Sequence, residues 1–470
     1  MLLAEKAGAL KLPDEKTLRS LPRLEAVSLS PRVSPNIPLG DDPTTLPLTY
    51  RAQAEPFIAR NPVDSQTLVG IFQEGRYATD GGAVTCGYAV SHDGGRSWRR
   101  ALIPFLTTLT GGEYERATDP VVAFDHQGNC YLCTLAFDVA SSHEAIVVNK
   151  STDGGDNFNP PQIAVVRPLL TDFLDKEWIA VDAHPNSPHP GRIAVTFTNF
   201  RADSSAPIMS VLSNDSGDTW TPPTLASPLG TNCQGSQPIF LPDGMLVIVY
   251  FSFNDNTMKI VRSADGGYHY DSPITIDYIN TISDSEARDG WFLPSASAAL
   301  NTGTIFVTIK GKLLNQRRIL FTRSTDAGLT WSQIIPIDDP PPPTDPDGIP
   351  AFIPSLIASP DARQVSVIFY DKRNDPERRF LVDVYLAESY NGGLTWEPNL
   401  RITDVSSDMR LAPLTSEGYM LGDYLGIAEC RGGDAQVVPI WIDTRRASPD
   451  PFACRVSDYQ SGTKTYLLYE

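Results

Sequence analysis

The sequence predicts an all-β fold made of repeated units, on three observations. An octapeptide of the form Ser-x-Asp-x-Gly-x-x-aromatic occurs six times, once with Asn for Asp, at intervals of about fifty to sixty-five residues. Apolar runs of strand length, bounded by turn residues, fill the intervals. The 34 Gly and 40 Pro supply the turns such a chain needs. One octapeptide is chance; six at a steady period are a repeat architecture.

Each copy has a physical purpose. The Asp bonds nearby backbone amides and the Gly accepts positive φ, so the segment makes a hairpin turn. The aromatic residue is expected to plug its own sheet. The copies begin at Ser91, Ser151, Ser213, Ser263, Ser324 and Ser389, with the turn acids at Asp93, Asp153, Asp215, Asp265, Asp326 and Asn391. This pattern resembles the Asp-box of the sialidase-like β-propellers, from about Glu55 to the C-terminus. The resemblance implies four-stranded blades around an axis, with the boxes structural and on the face opposite an active site.

Read in order, residues 1–50 form a Pro-punctuated arm that is expected to lie along the propeller and lend a strand that closes the ring. The first dozen residues are expected to be disordered. Residues 51–470 form the propeller. Inner strands open at Glu55-Pro56, Asp119-Pro120, Glu177-Trp178, Gln237-Pro238, Leu293-Pro294 and Ile353-Pro354. A seventh, without an octapeptide, opens at Asp423-Tyr424. The expectation is therefore seven blades; six is the alternative if 423–470 merges with the arm. The run Asp338-Asp339-Pro340-Pro341-Pro342-Pro343 reads as a stiff spacer near the mouth.

Composition excludes some functions. A net charge of −18 argues against nucleic acid, which clustered Lys and Arg would bind. It leaves an acidic sugar open, since a few local Arg residues override the global field. No apolar run reaches eighteen residues, so no membrane span is expected. Met1 to Lys6 lack the apolar core of a signal peptide, which leaves a cytoplasmic location or an export signal already removed. Family resemblance would make the exported protein secreted or periplasmic.

Cysteine spacing points to free thiols. Cys430 and Cys454 are expected on the first and third strands of one blade, about 9.5 Å apart and beyond disulfide reach. Cys130 and Cys133 read as one strand, which sends them to opposite faces. No metal-ligand spacing and no nucleotide-binding glycine loop stand out, so no metal and no cofactor are expected.

Propeller topology sorts the polar residues. Inner-strand starts and the loops between second and third strands share one face, and the octapeptides take the other. The loops bring Arg76, Arg201, Arg373 and Arg445 to the mouth; the strand starts add Glu55, Asp119, Asp175, Lys176, Glu177, Arg288, Asp289, Asp423 and Tyr424. Asp119 and Glu177 are the acid/base candidates, with Glu55 and Asp423 as further carboxylates. Arg76, Arg201, Arg288, Arg373 and Arg445 are candidates to hold substrate. The same arginines, where an Asp lies two residues upstream, could instead tie blade to blade.

Sialidases use an Arg triad, an Asp acid/base and a Tyr nucleophile paired with Glu, and resemblance makes Tyr424 the nucleophile candidate. The family's aromatic-Arg-Ile-Pro motif is absent: in Glu55-Pro56-Phe57-Ile58, Glu55 stands where Arg is wanted. The function expected is a carbohydrate-active, glycoside hydrolase-like enzyme whose glycoside is bound at the mouth. A non-catalytic platform for glycan or protein, and a polysaccharide lyase, are the alternatives.

Overall fold

In the computed structural model, residues 24–41, 52–79, 81–167, 171–284, 286–290, 292–342, 347–430, 436–446 and 448–458 are described. The expected disordered dozen, the boundary at 50/51, Pro343 and the terminal Tyr469-Glu470 lie outside them.

The architecture is an all-β propeller of antiparallel sheets. Among the described residues, four sheets have four strands, one has five, one has eight, and one is a two-stranded hairpin. A typical sheet runs in chain order through Phe173–Val181, Ile193–Phe200, Ile208–Ser213 and Thr224–Leu225. The eight-stranded sheet spans residues 53–102 and 116–166, and its halves are joined by one pair, Ala83 with Ala117. First strands touch in a ring that runs from Gln53–Arg60 through Arg116–Phe124, Phe173–Val181, Cys233–Phe240, Ser295–Ala298, Ala351–Ala358 and Gly426–Glu429 back to Gln53–Arg60. Residues 37–38 and 450–453, distant in sequence, share a sheet. Ile37 and Pro38 pair with Ala453 and Phe452 as its outermost strand, an edge position where Pro is tolerated.

The second strands are buried on both faces, so their alternate residues serve two different cores. In Cys130–Phe137, Cys130, Leu132 and Ala136 pack back against Val69, Ile71 and Tyr88. Tyr131, Cys133 and Leu135 pack forward against Ile193, Val195 and Phe197. Cys130 and Cys133 thus face different cores. All six cysteines are buried and free.

The six octapeptides share one hydrogen-bond pattern. In the first, Gly95 N donates to Ser91 Oγ at 2.9 Å, and Ser97 N and Oγ donate to the Asp93 carboxylate at 2.9 and 2.6 Å. The sixth repeats it with Asn391, which accepts from Thr395 N at 2.9 Å. The Thr330 and Thr219 hydroxyls hold Asp326 and Asp215 below the usual carboxylate range.

The octapeptide aromatics pack within their own unit and also reach the preceding one. Phe158 stands edge-on to Tyr88 at 4.8 Å, Trp396 to Phe321 at 4.9 Å, and the Tyr270 hydroxyl donates to Ser210 at 2.8 Å.

Candidate functional site

Five first strands break register just inside their start: between Ala54 and Phe57, Thr118 and Val121, Asp175 and Trp178, Gln234 and Gln237, and Phe352 and Ser355. Each break contains a residue at positive φ, namely Glu55 (55°), Asp119 (50°), Lys176 (53°), Gly235 (71°) and Ile353 (54°). Glycine accepts this conformation freely, whereas the others cost roughly 1–3 kcal/mol each. Pro56 and Pro120 suit the bulge, having no N–H to leave unpaired. A bulge re-aims the side chain it carries. Here three neighbouring bulges turn Glu55, Asp119 and Lys176 into one cleft of about 510 Å³.

The cleft floor is charged. Asp175, Asp423 and Glu417 line it with Glu55 and Asp119, opposed by Arg76, Lys176 and Arg288. Its upper wall is aromatic, formed by Phe137, Phe173, Phe200 and Phe253, with Asn232 and Gln234 between. A small cavity of about 10 Å³ adjoins it, sharing Lys176, Leu293 and Asp423 with the cleft and lined also by Trp178 and Tyr424.

Two hydrogen-bonded groups organise the floor. Gln73 Nε2 donates to Glu55 Oε2 at 2.6 Å and to Thr118 Oγ1 at 2.7 Å, and Thr118 Oγ1 donates to Asp119 Oδ2 at 3.2 Å. Glu55 and Asp119 are therefore linked through two neutral side chains. In the second group Arg288 forks onto Asp423, Nε to Oδ1 at 2.8 Å and Nη2 to Oδ2 at 2.5 Å. Gln234 Nε2 donates to Asp175 Oδ2 at 2.8 Å.

These surroundings push the carboxyls apart. Burial, then the charges of Asp119 and Asp423, raises Glu55 well above its ordinary value. Burial raises Asp119 too, against the pull of Lys176. Asp175 is pushed up to about 7 by burial and by Asp119 and Asp423. Asp423 is equally buried, yet the Arg288 fork holds it below the usual range. One floor thus holds carboxyls raised above their ordinary values beside one held below it, the arrangement acid–base chemistry needs.

The other candidates stand elsewhere. Glu177 is fully buried behind the wall with both carboxylate oxygens unbonded, because the residue after the turned Lys176 faces the opposite way. Burial raises its carboxyl far above the usual range. Tyr424 is buried below the cleft, donating its hydroxyl to Pro120 O at 2.9 Å and packing on Trp178. Arg201 lies outside the cleft, 3.6 Å from Asp203. Arg373 is held by Asp371 and Asp339, both at 2.8 Å, over the Tyr385 ring. Arg445 is held by Asp443 at 2.8 Å and Asp404 at 2.7 Å, over Phe452. In both, the Asp two residues upstream occupies the guanidinium that was expected to hold substrate.

Sequence reasoning missed Glu417 and the aromatic wall. A signal for the wall exists: the second strands Cys130–Phe137 and Ile193–Phe200 both end in Phe, and Phe253 follows Leu246–Ser252.

The Tyr424 geometry makes a prediction. Tyr424→Phe should cost about 1 kcal/mol of stability, the worth of one hydrogen bond, and leave turnover of any glycoside intact. Loss of turnover with the melting temperature unchanged would restore Tyr424 as a reacting group.

Fold and site together define an all-β propeller with a charged, aromatic-walled cleft. No protein-family model and no curated protein sequence matches the chain. Among solved structures it is similar to an ulvan lyase of polysaccharide lyase family PL25, with TM-score 0.51 and 9% identity over 87% of this chain and 94% of that one. It is also similar to the Hadza microbial sialidase Hz136, with TM-score 0.49 and 14% identity over 84% and 75%. A third is an α-L-arabinanase of Penicillium chrysogenum solved with arabinobiose, with TM-score 0.47 and 13% identity over 75% and 98%. Identities this low speak to fold alone. Among the described residues, no helix is long and apolar enough to cross a membrane.

Proposed function

We propose that this protein is a carbohydrate-active enzyme that hydrolyses a glycoside in the cleft. The observation that carries the reading is the set of strained bulges aiming Glu55, Asp119 and Lys176 at one aromatic-walled space. Strain of this kind persists where function requires it.

In this reading a neutral Asp119 gives its proton to the leaving glycosidic oxygen as the C–O bond breaks. Ionised Asp423 stabilises the positive charge that develops at the anomeric carbon; water then bonds to that carbon and its proton returns to the Asp119 carboxylate. Glu55 shares the Asp119 network through Gln73 and Thr118. The phenylalanines hold the sugar faces, a usual arrangement of apolar wall and few polar groups.

The same reading takes the fold as a seven-bladed propeller spanning residues 51–470, with residues 1–50 as an arm that closes the ring. It is supported by the seven first strands that touch in a circle and by the single pair that joins the two halves of the eight-stranded sheet. It takes the octapeptides as Asp-boxes, supported by their shared hydrogen-bond pattern.

The test is a product scan by mass spectrometry across sialosides, neutral glycosides and acidic polysaccharides, with ultraviolet absorbance followed for unsaturated uronides. Release of saturated sugar is the expected result. Unsaturated products would replace hydrolysis by elimination. Glycan binding without any product would make the cleft a binding platform.

A further inference from the structure

We infer that Lys310 and Lys372, neither of which lines the cleft, are positioning residues: through Asp289 and Asp284 they fix the loop that aims Arg288 at Asp423. This rests on the reading that Asp423 acts in the cleft, and it adds two residues that touch no sugar.

The loop joins the strands Ile274–Tyr278 and Ser295–Ala298. Its described part closes on itself, since Asp284 N donates to Asp289 Oδ2 at 2.8 Å and Glu286 N to Asp284 Oδ1 at 3.1 Å. Each aspartate turns its other oxygen to a lysine of a neighbouring sheet. Asp289 Oδ1 meets Lys310 of the strand Ile305–Leu313, and Asp284 Oδ2 meets Lys372, which directly follows Val365–Asp371. Both strands are paired on both sides, so the loop is tied to the fixed frame of two sheets. Near these anchors Arg288 forks onto Asp423, and Gly290 passes so close that a Cβ there would stand 2.8 Å from Asp423 O. The hairpin of Leu414–Thr415 and Gly418–Tyr419 closes the far side: Arg288 N donates to Tyr419 O at 2.9 Å, and Tyr419 N to Glu286 O at 3.1 Å.

Burial shows what the lysines are for. Lys310 and Lys372 are 4% and 0% exposed. A buried ion pair adds little net stability over apolar side chains of the same size. It does fix one geometry, because a displaced partner leaves a bare buried charge. Two such pairs on one short loop point to the geometry of that loop as what they secure.

Asp423 depends on that aim. Glu55, Asp119 and Asp175 act on it from the cleft floor, as do Arg76, Lys176 and Lys310, while Glu417 stands on the far side of Arg288. Burial pushes its carboxyl up, and the Arg288 fork leads the influences that hold it down. A loop that drifts carries the fork away, and the carboxyl rises.

The experiment is an NMR titration of the full chain with isotope-labelled aspartate carboxyls, the Asp423 signal being assigned by its loss in Asp423→Asn. Wild type is compared with two double variants, Lys372→Met with Asp284→Asn and Lys310→Met with Asp289→Asn. Each removes a whole ion pair, so net charge is unchanged and no bare charge is left to unfold the chain. Asn also keeps an acceptor for the loop's own amide. The Asp423 midpoint should rise by about one pH unit or more in both, within the influence of an adjacent Arg, while melting temperatures stay near wild type. With any sugar that the product scan identifies, the acid limb of the pH–rate profile should move up in step.

Two results would overturn the inference. One is an Asp423 midpoint equal to wild type in both double variants, whether or not they melt lower, which would make the lysines supports of the fold alone. The other is a rise confined to the Lys310 pair, since Lys310 acts on Asp423 directly through its charge, whereas Lys372 acts through the loop. Failure of the hydrolytic reading looks different: the midpoint would rise in both variants, while no sugar was cleaved by any form of the protein.

Discussion

Asp119→Asn is expected to lower turnover by about 10²–10⁴-fold, the usual contribution of a positioned general acid. The substitution keeps the shape of the side chain. Asn still accepts from Thr118 Oγ1, which now donates to Asp119 Oδ2 at 3.2 Å. What it removes is the proton. Stability separates this loss from misfolding. Burial raises the Asp119 carboxyl above its unfolded value of 3.8. From that pH upward the folded chain binds more protons than the unfolded chain, so stability falls as pH rises toward the folded value. Asn removes that loss. The variant should melt no lower than wild type at neutral pH, and match it at pH values below the unfolded carboxyl range. Steady-state kinetics on the scanned substrate, with melting curves at both pH values, check the pair. Near-wild-type turnover would remove Asp119 from the chemistry.

Arg100→Met should cost about 3–5 kcal/mol, a large share of the stability of an ordinary domain. Arg100 comes from the outer strand Arg99–Leu102, and its side chain is 1% exposed. It meets Glu74 Oε1 at 2.6 Å and Asp450 at 3.5 Å, and its guanidinium covers Phe72. Glu74 is fully buried and takes Gln53 Nε2 on its other oxygen at 2.8 Å. Space for it exists because residue 87 is glycine; a Cβ there would sit 2.6 Å from Glu74 Oε1. Asp450 belongs to the strand that pairs with Ile37–Pro38. Arg100 therefore links the strand Asp450–Ala453, the partner of Ile37–Pro38, to the sheet at residues 53–102. Methionine would leave the Glu74 charge without its cation, at the cost of an uncompensated buried ion. Adding Glu74→Gln should restore part of the loss, because neutralising the remaining partner removes that cost. Urea unfolding of the two single variants and the double variant measures it. A loss below about 1 kcal/mol for Arg100→Met would show that the network is only surface-grade.

Much of the architecture was legible because its causes are local. An octapeptide turn closes on its own Ser, Asp and Gly, so Ser91 to Trp98 announces a hairpin wherever it occurs. Period-two alternation told that Cys130 and Cys133 face apart, and the cores they join confirm it. Local reasoning placed the octapeptide aromatics in their own units, while their reach into the preceding unit depends on which surface is still uncovered.

The candidate site was legible only in part, for the same reason. The sequence by itself determined that acids at strand starts, among them Glu55, Asp119 and Asp423, would come to one end of the axis, because repeat period and strand direction place them there. Only the tertiary structure decided which side chains face the cleft. A bulge with positive φ shifts the alternation by one residue, so Lys176 turns in and Glu177 turns into the core. Arg373 and Arg445 were lost to carboxylates two residues upstream, a competition that spacing permits and three-dimensional reach settles. Glu417 arrived from a distant hairpin, and no local pattern could bring it beside Arg288. Alternation and turns follow from short-range sterics; facing and pairing follow from what the folded ring leaves within reach.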